Sequence, residues 1–203
     1  MKIRASVVDI RGDDPTSSDR LLVDSNVWIG LTDANPSPAG RAQWRPYERY
    51  IRETKQASAG LVVSPFTFPE ICHYFEHEEL RRHNARNSTI PPLPLKLFRE
   101  DATRRSIVVA AIETSWLQVR ALAKLVPTPA TQACIDGAMK GLSGGDLIDG
   151  VDAMLVADLR RDGLTGIITD DRDFGSVDGI VVFTANEKLL RSAADAGRTV
   201  RRA

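Results

Sequence analysis

Short, wholly apolar runs alternate along this chain with longer stretches in which apolar residues recur every three or four positions. Leu21-Leu22-Val23, Leu61-Val62-Val63, Gly166-Ile167-Ile168 and Ile180-Val181-Val182-Phe183 are each followed by a polar residue. That pattern predicts buried parallel strands that deliver a polar side chain to one edge of a sheet. A further β-prone stretch, Ile3 to Ile10, precedes the Gly12-Asp13-Asp14-Pro15 turn and predicts an added edge strand or a loose arm.

Helical spacing fills the gaps. Val27 to Leu31 begins a helix or turn that Asn35-Pro36-Ser37-Pro38 closes. Ala39–Gln56 carries Trp44, Tyr47 and Ile51 on one face, with Pro46 expected near its start or at a kink. Glu70–Arg82 presents Ile71, Tyr74, Phe75 and Leu80. Arg105–Leu125 has a broad apolar face of Ile107, Val108, Ala111, Ile112, Trp116, Val119 and Leu122, wide enough to serve both a core and a second subunit. Asp146–Arg161 is stopped by Gly163, and Asn186–Ala196 is amphipathic. Asn84–Pro94 reads as a polar loop, and Pro127–Gly145 as a connection holding one short helix. Strands alternating with helices predict an α/β fold, a mostly parallel central sheet with helices on both faces. One domain accounts for residues 21–203, with residues 1–20 as an N-terminal extension.

Composition narrows the classes. The 203 residues include 27 basic and 27 acidic side chains, so the whole surface is no magnet for nucleic acid, although local charge still matters. No apolar run approaches the roughly 18 residues of a membrane span, and the N-terminus lacks the pattern of a signal peptide. Cys72 and Cys134 match no metal-binding spacing and are expected as reduced thiols of a cytoplasmic protein. Basic clusters occur at Arg81-Arg82, Arg104-Arg105, Arg160-Arg161 and the C-terminus. Their ordinary reading is a solvated helix face or tail. Arg81, Arg82, Arg160 and Arg161 are the candidates for contacts to the phosphates of a bound nucleic acid.

The acids change the picture most. Asp24 and Asn26 follow the first of the apolar strands, Glu70 opens the helix after the next, Asp152 lies early in a later helix, and Asp170, Asp171 and Asp173 follow another strand. In open α/β sheets ligands bind beyond the carboxyl ends of the strands. Each acid alone has an ordinary reading as a helix cap, a helix-dipole partner or a turn residue. Together they repel, by about 4 kcal/mol for two carboxylates 4 Å apart at an effective dielectric of 20. A hard divalent ion, magnesium or manganese, removes that penalty and can activate water against a phosphodiester.

Leu22-Val23-Asp24-Ser25-Asn26-Val27 resembles the opening motif of PIN domains, and Ser64 to Glu70 resembles their second motif. Asp152 to Ala157 followed by Gly163, then Ile167-Ile168-Thr169-Asp170-Asp171-Arg172-Asp173-Phe174, resembles the third and fourth, with the order and spacing of VapC-type toxin ribonucleases. The resemblance covers roughly residues 21–185. It implies a magnesium- or manganese-dependent endoribonuclease, the toxin of a toxin–antitoxin pair, with an RNA substrate, a cognate antitoxin and a homodimer. Asp24, Glu70, Asp152 and Asp171 would be the catalytic, metal-holding acids, with Asp173 a further or alternative ligand and Asp170 at the outer rim. Asn26 would orient the first acid or a metal-bound water, and Thr169 would hydrogen-bond within the site. The chain is larger than small toxins of this type by its first twenty residues and the 84–94 and 127–145 segments.

The alternative keeps the fold without the chemistry, as an RNA- or protein-binding module. A haloacid-dehalogenase-type phosphatase would need an aspartate where Asn26 stands. A receiver domain would carry its acidic pair near the first strand.

Overall fold

The computed structural model describes residues 1–88, 90–126 and 131–202. Its strands are β1 (Ser6–Asp9), β2 (Arg20–Val23), β3 (Gly60–Val63), β4 (Lys124–Leu125), β5 (Gly166–Ile168) and β6 (Val181–Thr184). They form one sheet in the order β1-β6-β5-β2-β3-β4, and every pairing is parallel. From β2 the chain moves outward through β3 to β4, and from β5 it moves the other way to β6. The strand order therefore reverses between β2 and β5, the place where a parallel sheet opens a crevice at its carboxyl edge.

Successive strand residues point to opposite faces, and both faces are apolar. Val7, Leu22, Val62, Ile167 and Val182 meet one cluster, to which α6 (Gln132–Ser143), α7 (Gly150–Arg161) and α8 (Glu187–Asp195) bring Ala138, Leu155, Leu159 and Leu189. Val8, Leu21, Val23, Leu61, Val63, Ile168 and Phe183 meet the other. There α1 (Ser25–Thr32), α2 (Pro38–Gln56), α3 (Thr67–Asn87), α4 (Leu95–Glu100) and α5 (Ala102–Leu122) contribute Trp28, Tyr47, Ile71, Phe75, Phe98 and Val108. Burying one Leu or Ile contributes about 1.5–3 kcal/mol. A one-residue slip would send every strand side chain to the opposite face, so this packing fixes the register.

Local chemistry sets the helix ends. Ser37 accepts the Gly40 amide and Pro38 opens α2, which then runs on through Pro46. Asn186 accepts two amides to start α8. Asp149 accepts the amides of Val151 and Asp152, so α7 starts at Gly150 rather than at Asp146, which is drawn away by Arg4. Gly163, at φ +66°, ends α7 in the left-handed conformation that a side chain would resist.

Several expectations need correction. The polar stretch from Asn84 is helical through Asn87, because α3 is longer than its apolar spacing implied. The helix expected to reach Leu125 stops at Leu122, and Lys124–Leu125 pairs with β3 instead. Its buried stripe is Val108, Ile112, Ser115 and Val119, while Ile107 is 50% exposed and Leu122 is also outside the core. The helix expected within 127–145 is α6, packed on α7. Thr89 and residues 127–130 of these two segments lie outside the described residues.

The first ten residues contribute to the core. β1 is an edge strand on β6, and Ile3, Ala5, Val7, Val8 and Ile10 are buried. Arg202 holds the segment from the other end of the chain, bonding Asp13 (2.7 Å) and Asp19 (2.6 Å) while lying over the Phe183 ring. Cys72 and Cys134 are free thiols.

Candidate active site

Two strand ends and two helix starts bring the acids to the crevice. Val23 pairs with Ile168, which sets Asp24 beside Thr169, and the Asp24 amide donates to the Ile168 carbonyl (3.0 Å). Asp24 caps α1 from a buried position. One of its oxygens accepts from the Ser25 amide (2.6 Å) and hydroxyl (3.1 Å), and the other from the Thr169 hydroxyl (2.6 Å). The Thr169 oxygen also accepts from the Asp171 amide (2.9 Å) and the Asn26 side-chain amide (3.2 Å). Asn26 in turn accepts the Asp170 amide (3.3 Å). Asn26 thus acts on Asp24 through Thr169 and locks the β5 turn to α1.

Glu70 arrives in the first turn of α3, where the Ser25 hydroxyl also bonds it. That hydroxyl has one proton to donate, so it cannot satisfy two ionised carboxylates at once. Asp152 stands in the first turn of α7, half-buried, and among the described residues its carboxylate accepts no hydrogen bond. Asp171 caps the 3-10 helix Arg172–Ser176 by accepting the Asp173 amide (2.8 Å).

These environments push four carboxyls the same way. Burial raises Asp24 to about 7, with the charge of Glu70 adding to it and the Thr169 and Ser25 bonds opposing. Burial, then the charges of Asp24, Asp149, Asp171 and Glu70, raise Asp152 to about 8. Glu70 is raised by burial and by Asp149, against Ser25 and His73. Asp171 is raised by burial and by Asp173, Asp149 and Asp170, against the Asp173 amide. The neighbours that act most on Asp152 are all acids.

An all-oxygen, mutually repelling set of this kind fits a hard divalent cation in donor chemistry. Yet among the described residues no three acid, histidine or cysteine side chains stand close enough to share one ion as they are arranged. Asp152 feels the charges of Asp24, Glu70 and Asp171, yet the four do not converge at ligand distance.

The remaining candidates separate. Asp173 turns outward, 42% exposed and 3.5 Å from the Arg172 guanidinium. Tyr47 (2.6 Å) and Gln43 (2.6 Å) hold the half-exposed Asp170 carboxylate, and Asn186 holds its carbonyl (2.6 Å). Arg160 and Arg161 sit about 12 Å along α7 from Asp152, at the amino end of the sheet. There Arg160 bonds the Asp178 carbonyl and Arg161 pairs with Asp158 and Asp162. Arg81 pairs with Glu78, and Arg82 with Glu78, Glu79 and Asp33. None of the four arginines joins the acids.

Asp149 and Ser25 were not singled out from the sequence. Asp149 presses on three of the four acids, and its cap spacing, three residues before Asp152, was the available signal. Ser25 lay inside the first motif but reads there as a spacer.

No protein-family model matches the sequence, and no curated protein matches it. Among solved structures, it is similar to a chain in the crystal structure of VapBC2 from Rickettsia felis bound to a DNA fragment from their promoter, with 7% identity and a TM-score of 0.49 over 81% of this chain and 97% of that one. It is also similar to a chain in the crystal structure of FitAcB from Neisseria gonorrhoeae, with 15% identity and a TM-score of 0.47 over 83% of this chain and 99% of that one.

Proposed function

We propose that this protein is a divalent-metal-dependent endoribonuclease of PIN type, the toxin of a toxin–antitoxin pair. One observation carries the reading. Asp24, Glu70, Asp152 and Asp171 lie at or beside the switch point of a parallel sheet, and burial together with the charge of neighbouring acids holds all four above the ordinary carboxylate range. Among the described residues none of the four pairs with an arginine or lysine, and acids gathered at such a cost have a use for a cation. The four PIN-like motifs supply the same four residues from the sequence.

Asp24, Glu70, Asp152 and Asp171 would hold magnesium or manganese, which when bound supplies Lewis-acid polarisation of a phosphodiester and a lowered water pKa. Thr169 and Ser25 orient the two oxygens of Asp24. Asn26 keeps Thr169 in place, and Asp149 keeps the start of α7, hence Asp152, at the crevice. Asp173 belongs to the outer side of the site. An antitoxin would be a protein that covers this crevice.

The test is cleavage of a mixed RNA pool by wild type and Asp152→Asn, each with magnesium, manganese or chelator. Cutting that needs metal and falls by about a hundredfold or more in the variant is the expected result. Cutting that persists in both chelator and variant would sink the reading. A second reading, a non-catalytic RNA- or protein-binding module, is favoured by the lack of three converging ligands among the described residues. It predicts neither cleavage nor a manganese-dependent rise in melting temperature.

A further inference from the structure

A cleft of about 610 Å³ adjoins the acids and follows α3 from Glu70 past His73 and His77 to Arg81. Glu78 and Arg81 in it pair with each other, which leaves Glu70 as its carboxylate without an arginine or lysine among the described residues. His73 and His77 stand four residues apart on one face of the helix. Four residues rise about 6 Å along a helix axis. The two ring centroids lie only 4.2 Å apart, so the rings lean toward each other. Both side chains are exposed, and among the described residues neither makes a hydrogen bond.

This lining suits a cation, and its donors choose which one. Imidazole nitrogens favour zinc and its transition-metal neighbours, whereas the all-oxygen acids next to them favour magnesium or manganese. Histidines at i and i+4 on one helix face can hold a single zinc ion between them. On a tetrahedral ion with bonds of about 2.1 Å the two nitrogens would sit about 3.4 Å apart, within reach of rings this close. Firm binding asks for a third protein ligand. Glu70, three residues before His73, lies on the same face, and His73 already acts on its charge. As arranged, the Glu70 carboxylate keeps to the Ser25 hydroxyl, and among the described residues no third side chain has joined the pair.

We infer that His73 and His77 form a zinc site, completed when Glu70 turns from Ser25 along α3 to become the third ligand. Its consequence for activity rests on the nuclease reading. Glu70 cannot serve two ions at once, so zinc here withdraws it from the magnesium or manganese at the acids and inhibits cleavage. The histidines are thus an inhibitory metal site beside the candidate active site, and Glu70 is the side chain the two sites share.

The test reads binding and cleavage separately, on full-length protein without a polyhistidine tag. Calorimetric titration with zinc chloride in excess magnesium is expected to show one zinc per chain. His73→Ala, His77→Ala and Glu70→Gln each weaken it by about tenfold or more, since even a group that only orients a metal ligand is worth about that much. Asp152→Asn, outside the cleft, binds zinc like wild type. Both histidines are exposed, so thermal melts of their variants without metal should match wild type. Equal zinc binding by wild type and either histidine variant would overturn the site, and equal binding by Glu70→Gln would overturn the shared ligand. In magnesium, zinc enough to fill the site lowers wild-type cutting by about tenfold or more and spares His77→Ala. Equal inhibition of both would overturn the coupling. If wild type cuts no RNA in any metal while zinc binds as described, the nuclease reading fails and the zinc site stands.

Discussion

The first turn of α3 and its middle handle a glutamate in opposite ways. Glu70 and Glu76 lie on the same helix, and both are largely screened from solvent. Glu76 is met by two guanidiniums, Arg99 from α4 and Arg105 from α5, and the Arg99 bond foremost holds it below the ordinary range. Glu70 is met by a shared hydroxyl and the charge of Asp149, and burial holds it above that range. The helix is the same. What differs is whether neighbouring elements bring a cation of their own. At Glu76 the chain completes the charge balance internally and gains stability. At Glu70 it leaves the balance open, which is a cost in stability and an opening for an ion from solution.

Exchanging the two glutamates for glutamine should split function from stability. Glu70→Gln is expected to reduce metal-dependent cleavage by about a hundredfold or more, with an unchanged or raised melting temperature in chelator. Glu76→Gln should leave cleavage intact and lower the melting temperature by a few degrees, a modest loss because both arginines lie half in solvent. Equal behaviour of the two variants in both assays would erase the contrast.

The next effect is in pH. A carboxyl whose folded pKa is raised binds protons more tightly in the native state, so its stability contribution is fullest below the unfolded value near 3.8. That contribution is lost as pH rises through the folded values of about 7 for Asp24 and about 8 for Asp152. In chelator, denaturant titrations should record a decline on the order of a few kcal/mol between acid and mildly alkaline conditions. Manganese should recover more at pH 8 than at pH 5. A flat profile, or equal recovery at both, would remove the open balance at Asp24 and Asp152.

The smallest effect belongs to Asn26→Ala. It removes bonds to the Thr169 hydroxyl and the Asp170 backbone amide without touching a carboxylate, so a loss of about tenfold in cleavage is expected. Kinetics with saturating manganese would measure it, and a loss as large as that of Glu70→Gln would mean that Asn26 acts directly.

Much of this was legible in the chain. The apolar runs at Leu21, Leu61, Ile167 and Val181 became strands because both faces of a parallel sheet must be apolar, a signal that needs no partner to read. Lys124–Leu125 was not legible, since two residues pairing with β3 leave no periodicity of their own. Among the acids, spacing separated Asp171 from Asp170 only by preference. The structure separates them by contact, because Tyr47, from a helix over a hundred residues earlier, takes the Asp170 carboxylate. Ser25 and Asp149 escaped notice because a serine beside an aspartate and a cap before a helix are common in any fold.

The last turn of the chain has a consequence beyond tying down the N-terminus. The Arg198 carbonyl accepts the Val7 amide and Val200 donates to the Val7 carbonyl, so the outer edge of β1 is occupied at its middle. At the other edge, β4 offers only two residues. An unpaired strand edge is the template on which sheets join and fibrils grow. Here that template is interrupted on one side and brief on the other, so a second polypeptide finds little backbone to extend. Association with this protein is left to the surfaces of its helices.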